Sequence, residues 1–132
     1  MKCEAKRIDS NSKVLEKPHK KLDVWQKGIV LVQRIYEMTK TFPKVEEYAI
    51  TNQMRRAAIS VPSNISEGAA RQIRKEFIQF LHVAQGSLSE LDTHLEISSR
   101  LGYVRGTILR EISVLMNDID KMLTSLIKSL RK

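Results

Sequence analysis

Five cations stand within the run from Gln53 to Phe77: Arg55, Arg56, Arg71, Arg74 and Lys75. Planar guanidinium groups grip phosphate oxygens in pairs, so cations gathered around one helix–helix turn can track a polyphosphate backbone. Each of them also has a structural use. Adjacent Arg55 and Arg56 point about 100° apart on a helix, so one can pair with a carboxylate such as Glu67 or Glu90 while the other meets solvent. For each of the five cations both uses stay open at the level of sequence.

The remaining reactive side chains assemble no reaction centre. A di-metal bundle needs Glu-x-x-His on two core helices plus two further glutamates; here that motif occurs once, from Glu16 to His19 and across Pro18. His82 and His94 are twelve residues apart. On one helix that is about 18 Å along the axis, too far to share a metal within one chain. Glu90 and His94 stand one turn apart and read as a solvent-facing pair. Ser60, Asn64 and Glu67 form a polar stripe beside Pro62, where side-chain donors either satisfy carbonyls freed by the proline or reach a neighbouring helix. Neither a phosphate-binding glycine loop nor a Ser-His-Asp signature is present. The chain therefore reads as a non-enzyme with no cofactor and no metal.

What would position such residues follows from composition and periodicity. A length of 132 residues suits one domain with a continuous core. With three prolines, five glycines and 5% aromatic residues, a loop-rich or all-β chain is disfavoured. Cys3 has no intrachain partner, which suits a reducing interior. The leader lacks the apolar stretch of a secretory signal, and the longest apolar run, Ile29–Val32, is far too short for a membrane span, so the expected location is cytoplasmic. Net charge is +8, and residues 1–21 hold seven Lys/Arg against three Asp/Glu without any hydrophobic period. Residues 1–20 are thus expected to be a flexible basic tail, and 21–132 a helical domain. A basic excess of this kind either gathers polyphosphates by counterion release or merely keeps a protein soluble.

From Leu22 onward apolar residues return at helical spacing. Leu22, Trp25, Ile29, Val32 and Tyr36 predict the inward face of a first helix ending near Phe42-Pro43. A second helix is expected from about Lys44, with Met54, Ala58, Val61 and Ile65 inward, a kink or break at Pro62, and Gly68 as a left-handed stop. In the third, Phe77, Ala84, Leu91 and Ser98 recur every seven residues, interleaved by Leu81, Leu88 and Leu95 before Gly102. The fourth repeats the device with Ile108, Leu115 and Met122 interleaved by Ile112, Ile119 and Leu126. The fold class is all-α: an antiparallel up-down four-helix bundle with a disordered N-terminal tail. A second heptad stripe, Leu109, Met116, Leu123 and Leu130, adjoins the first, while Val30, Leu31, Ile59, Phe80 and Val83 lie off the main seams. That apolar width exceeds what one bundle faces inward, so Leu109, Met116 and Leu123 are expected to meet another subunit.

Several runs together carry a family resemblance. Leu22-Asp23-Val24-Trp25-Gln26-Lys27, Phe42-Pro43, Gln53-Met54-Arg55-Arg56-Ala57-Ala58 and Val61-Pro62-Ser63-Asn64-Ile65-Ser66-Glu67-Gly68 resemble the four helix bundle proteins encoded in 23S rRNA intervening sequences. So do Glu76-Phe77 with Phe80-Leu81, and Ser87-Leu88-Ser89-Glu90-Leu91-Asp92-Thr93, the whole covering about residues 22–130. Ile73 departs from the pattern, since many relatives carry there a Ser or Thr that would form a capping box with the glutamate three residues on. The resemblance implies an antiparallel bundle assembling as a homopentamer. It also implies kinship with the accessory protein of diversity-generating retroelements, a basic pentamer that associates with nucleic acid and a reverse transcriptase. The expected function is a non-enzymatic, basic oligomer that binds RNA or DNA through phosphate contacts. The rival is a protein–protein scaffold or accessory subunit, for example of a reverse transcriptase.

Overall fold

In the computed structural model, which describes residues 14–132, the apolar periodicities condense into four helices. These are α1 (Asp23–Thr39), α2 (Ile50–Ala69), α3 (Arg74–Arg100) and α4 (Gly106–Leu130). Each packs on its neighbours in sequence and α4 closes back on α1, with no diagonal pair in contact among the described residues. That ring order is the antiparallel up-down bundle expected from the sequence. Of the expected tail, residues 1–13 lie outside the described residues. Pro18–Lys21 forms a single 3-10 turn, and its His19 ring meets Trp25 edge-on with centroids 5.3 Å apart.

The inward stripes of α2 and α3 are those the sequence predicts. Met54, Ala58, Val61 and Ile65 are fully buried, as are Leu81, Ala84, Leu91 and Ser98. Two other stripes are rotated from their expected positions. In α1 the buried line is Val24, Gly28, Leu31, Ile35 and Met38; Trp25, Ile29 and Val32 are half-buried beside it and Tyr36 is exposed. In α4 the buried line is Ile112, Met116, Ile119, Leu123 and Ile127. Met116 and Leu123 are therefore core residues of a single chain, not a face left over for another copy, and Leu109 is half-buried at their edge. The stripe nearer solvent is the one expected inside: Ile108 is 54% exposed, and Leu115 and Met122 are half-buried. Steps of four and three through 112, 116, 119 and 123 follow the 3.6-residue period and turn that line toward the other three helices.

Glycine and proline fix how α2 meets its neighbours. No break occurs at Pro62, because α2 runs unbroken from Ile50 to Ala69 and the proline is buried in it. Its ring faces Gly28 of α1, where an added Cβ would lie 3.3 Å from Pro62 Cβ. A proline costs about 3 kcal/mol in an ordinary helix interior, and close packing against a bare backbone offsets part of it. Gly68 is likewise not a left-handed stop, since the positive-φ residues among those described are Gly102 and Gly106. It marks the closest approach of α2 and α3, with an added Cβ only 2.8 Å from both Phe77 Cδ1 and Phe80 Cβ. Gly68→Ala is expected to destabilise, since overpacking costs about 1–3 kcal/mol against a helix-propensity gain of at most about 1 kcal/mol. Gly86, mid-α3 with nothing within 4 Å of an added Cβ, should give the opposite sign, so Gly86→Ala raises the melting temperature by thermal denaturation while Gly68→Ala lowers it.

The polar stripe on α2 turns out to be a cross-link. Ser60 Oγ and Ser87 Oγ of α3 are 2.7 Å apart, and Asn64 Nδ2 donates to Ser60 O at 2.8 Å and to Ser60 Oγ at 2.9 Å. Glu67 is exposed and takes no part. At the far end of the bundle, α3 stops as expected at Gly102, whose φ is +81°. Tyr103 N donates to Ser98 O and Gly102 N to Ser99 O, the paired bonds of a Schellman turn. That turn delivers the Tyr103 hydroxyl to Glu46 Oε2 at 2.7 Å. Glu46 belongs to the 3-10 turn Lys44–Glu46 that precedes α2, so α2 itself begins at Ile50 and not near Lys44. The hydrogen bond to the Glu46 carboxylate holds the Tyr103 phenol above its ordinary pKa.

Candidate functional site

Antiparallel order brings the start of α1, the end of α2, the start of α3 and the end of α4 to one end of the bundle. The α2–α3 turn supplies Arg71, Arg74 and Lys75, all exposed. Alongside come Lys128, Arg131 and Lys132 from α4 and its end, in a stretch with no carboxylate from Lys121 to Lys132. The 3-10 turn before α1 adds Lys20 and Lys21. Away from this end the charges nearly cancel: residues 28–65 and 83–120 together hold eight Lys/Arg and nine Asp/Glu. The largest positive excess of the described chain therefore lies at this pole; the far end, residues 34–56 and 96–111, holds eight Lys/Arg against five Asp/Glu, and Glu90, Asp92, Asp118 and Asp120 make the middle of the bundle acidic.

Arg55 and Arg56 do not belong to that pole. They lie in the first two turns of α2, about 20 Å along the axis from its last residue. Arg55 is structural, though through other partners than a carboxylate. Its Nε donates to Thr39 Oγ1 at 2.9 Å, Thr39 Oγ1 donates to Ile35 O at 2.7 Å, and its guanidinium carbon sits 4.5 Å from the centre of the Tyr36 ring. Arg56 is exposed. The five cations of the Gln53–Phe77 run are thus two groups at opposite ends, because a helix intervenes.

At the basic pole the arginines are held rather than loose. Arg71 lies over the Phe80 ring at 4.8 Å, and Arg74 Nη1 donates to Lys132 O at 3.3 Å. No Asp or Glu side chain among the described residues pairs with Arg71, Arg74 or Lys75. Ile73 precedes α3 as a cap residue without a side-chain hydrogen bond. The helix therefore starts at Arg74 without a capping box, and its first backbone donors and the positive end of its dipole add to the surrounding cations. Sequence reading missed Lys128, Arg131 and Lys132; the acid-free run to which they belong was the available signal.

The clefts of the molecule lie elsewhere. One, of about 430 Å³, opens between α3 and α4 and is lined by Asp92, Ser113 and Asp120 among others. Another, of about 370 Å³, lies near Arg34, Tyr103 and Glu111 at the far end. An exposed cluster of cations suits an extended polyanion better than a small molecule held on all sides. Glu90 Oε2 is 3.9 Å from His94 Nε2, and no group of three metal-ligating side chains converges among the described residues. Among those residues no helix is long and apolar enough to cross a membrane.

The same order of residues and helices occurs in known proteins. A sequence model of the family described as 23S rRNA-intervening sequence protein matches residues 20–125. A crystal structure from Bacteroides thetaiotaomicron VPI-5482, described as a protein with unknown function from the S23 ribosomal protein family, superposes with a TM-score of 0.74. It is 27% identical and the match covers 80% of this chain and 95% of that one. No curated protein matches.

Proposed function

Since the chain belongs to the 23S rRNA-intervening sequence protein family, we propose that it is a non-enzymatic nucleic-acid-binding bundle that holds RNA or DNA by phosphate contacts at its basic pole. The observation that carries this reading is the concentration of charge: Arg71, Arg74, Lys75, Lys128, Arg131 and Lys132 stand together, while the other charges of residues 14–132 sum to zero, thirteen Lys/Arg against thirteen Asp/Glu. Phosphate contacts release condensed counterions, so affinity must fall steeply with salt. Titrating structured RNA and duplex DNA across a salt series tests it. Absence of binding at low salt, or affinity indifferent to salt, refutes the electrostatic reading.

Self-association is part of the proposal. Ile108 on the flank of α4 is 54% exposed and shares its face with half-buried Leu115 and Met122, while Val114, about 120° round the helix, is 55% exposed. Such a strip favours contact with a second copy, and the family resemblance gives five subunits as the count. A shared polyanion would then meet several weak sites at once, multiplying their effect. The second reading, a protein–protein scaffold such as an accessory subunit of a reverse transcriptase, draws on Val45 and Tyr48, which are 83% and 89% exposed between α1 and α2. A protein that assembles but shows no salt-dependent binding to either nucleic acid favours that second reading.

A further inference from the structure

A line of hydrogen bonds crosses from α4 to α3 and back, leading from the basic pole toward the middle of the bundle. Arg131 Nη2 lies 3.4 Å from His82 Nε2, and His82 Nδ1 lies 3.2 Å from Gln85 Oε1. Gln85 Nε2 donates to Asp120 Oδ1 at 3.3 Å and to Thr124 Oγ1 at 3.1 Å. Chemistry allows these contacts one polarity. A guanidinium has no acceptor, so Arg131 donates and His82 Nε2 accepts. An amide oxygen carries no proton, so His82 donates from Nδ1, and the amide N–H groups finish on the Asp120 carboxylate and the Thr124 hydroxyl. Each donor meets an acceptor, and the tautomer of His82 is thereby defined.

We propose that this relay makes Arg131 a phosphate-binding residue of the basic pole, with His82 and Gln85 as its positioning residues. The assignment rests on reading that pole as a nucleic-acid site, and the ligand group is a backbone phosphate. Arg131 is exposed and His82 takes only one of the five N–H donors of its guanidinium, which leaves donors for phosphate oxygens. A long side chain held in place before binding gives up less rotamer freedom when the phosphate arrives. Arg74, tied to Lys132 O, is anchored at the same seam by a different bond. The lysines there contribute charge without this fixed geometry.

The test is a double-mutant cycle on the full chain, read by anisotropy of a fluorescein-labelled DNA duplex across a salt series. Arg131→Gln should weaken binding and reduce the salt slope by about 0.9, the value of one phosphate contact. His82→Ala should weaken binding by about two- to tenfold, the size of one side chain's ordering, with the slope unchanged because no cation is lost. Gln85→Ala should behave likewise, and His82→Gln, which restores an acceptor, should recover part of the loss. In the Arg131→Gln background His82→Ala should do nothing more. Equal losses from His82→Ala with and without Arg131, or no loss at all, overturn the relay. Wild-type protein that binds neither this duplex nor a labelled structured RNA at low salt overturns the basic-pole reading itself, a separate failure visible before any variant is made.

Discussion

Exchanging Arg71, Arg74 and Lys75 together for Gln lowers the affinity for duplex DNA or structured RNA about a hundredfold near physiological salt, by the following reasoning. Each phosphate contact contributes about 0.9 to the slope of log affinity against log salt, so three contribute about 2.7; referred to about 1 M salt, where the term vanishes, that is about two decades at 0.15 M. Both numbers come from one salt titration of the variant against wild type. Helix content should not change, since all three side chains are exposed and surface charges contribute only about 0–1 kcal/mol to folding. Loss of the fold would show instead that the Arg71–Phe80 and Arg74–Lys132 contacts hold the α2–α3 turn together. Arg55→Gln with Arg56→Gln is the matched control from the opposite end. It should leave binding nearly intact while costing about 1 kcal/mol of stability through the lost Thr39 and Tyr36 contacts.

The second large effect separates core from interface on α4. Leu123→Asp is expected to abolish cooperative unfolding of the chain, because a carboxylate would replace a side chain with no solvent exposure, and leaving an unpaired charge there costs more than about 4 kcal/mol. Ile108→Asp with Val114→Asp, at positions more than half exposed, should keep the thermal transition and reduce the mass seen by light scattering from that of an assembly toward one chain. If Leu123→Asp melts like wild type, the bundle core is wrongly placed. If the Ile108 and Val114 variant keeps the full assembled mass, the contact between copies lies on another face.

Why two helices were legible and two misread has a physical answer. In α2 and α3 the core positions are filled mainly by Met, Ala, Val, Ile and Leu at regular steps, so the stripe has one reading. In α1, Trp25 and Tyr36 attract the eye inward, but aromatic side chains with a polar atom favour boundary positions, and the true line passes through Gly28, which carries no hydrophobic signal. In α4 two adjacent heptad stripes are equally apolar, and only the directions of α1 and α3 decide between them. The site divides in the same way. Arg71, Arg74 and Lys75 are neighbours in sequence and stay together, whereas Arg131 reaches them only because the chain closes into a ring of four helices. That Arg55 and Arg71 end up at opposite ends follows, by contrast, from the rise of the one helix between them.

Charge gathered at one pole also gives the bundle a permanent electric dipole along its length. In the field of a polyanion such a body experiences a torque as well as an attraction, so it turns its basic pole forward while still diffusing. Encounters that begin in the wrong orientation are corrected before contact, which raises the association rate beyond what the same net charge spread evenly would give. Added salt shortens the range over which that torque acts, so slower arrival should account for much of the weakening at high ionic strength, and the less basic pole with Val45 and Tyr48 is left trailing outward from the nucleic acid.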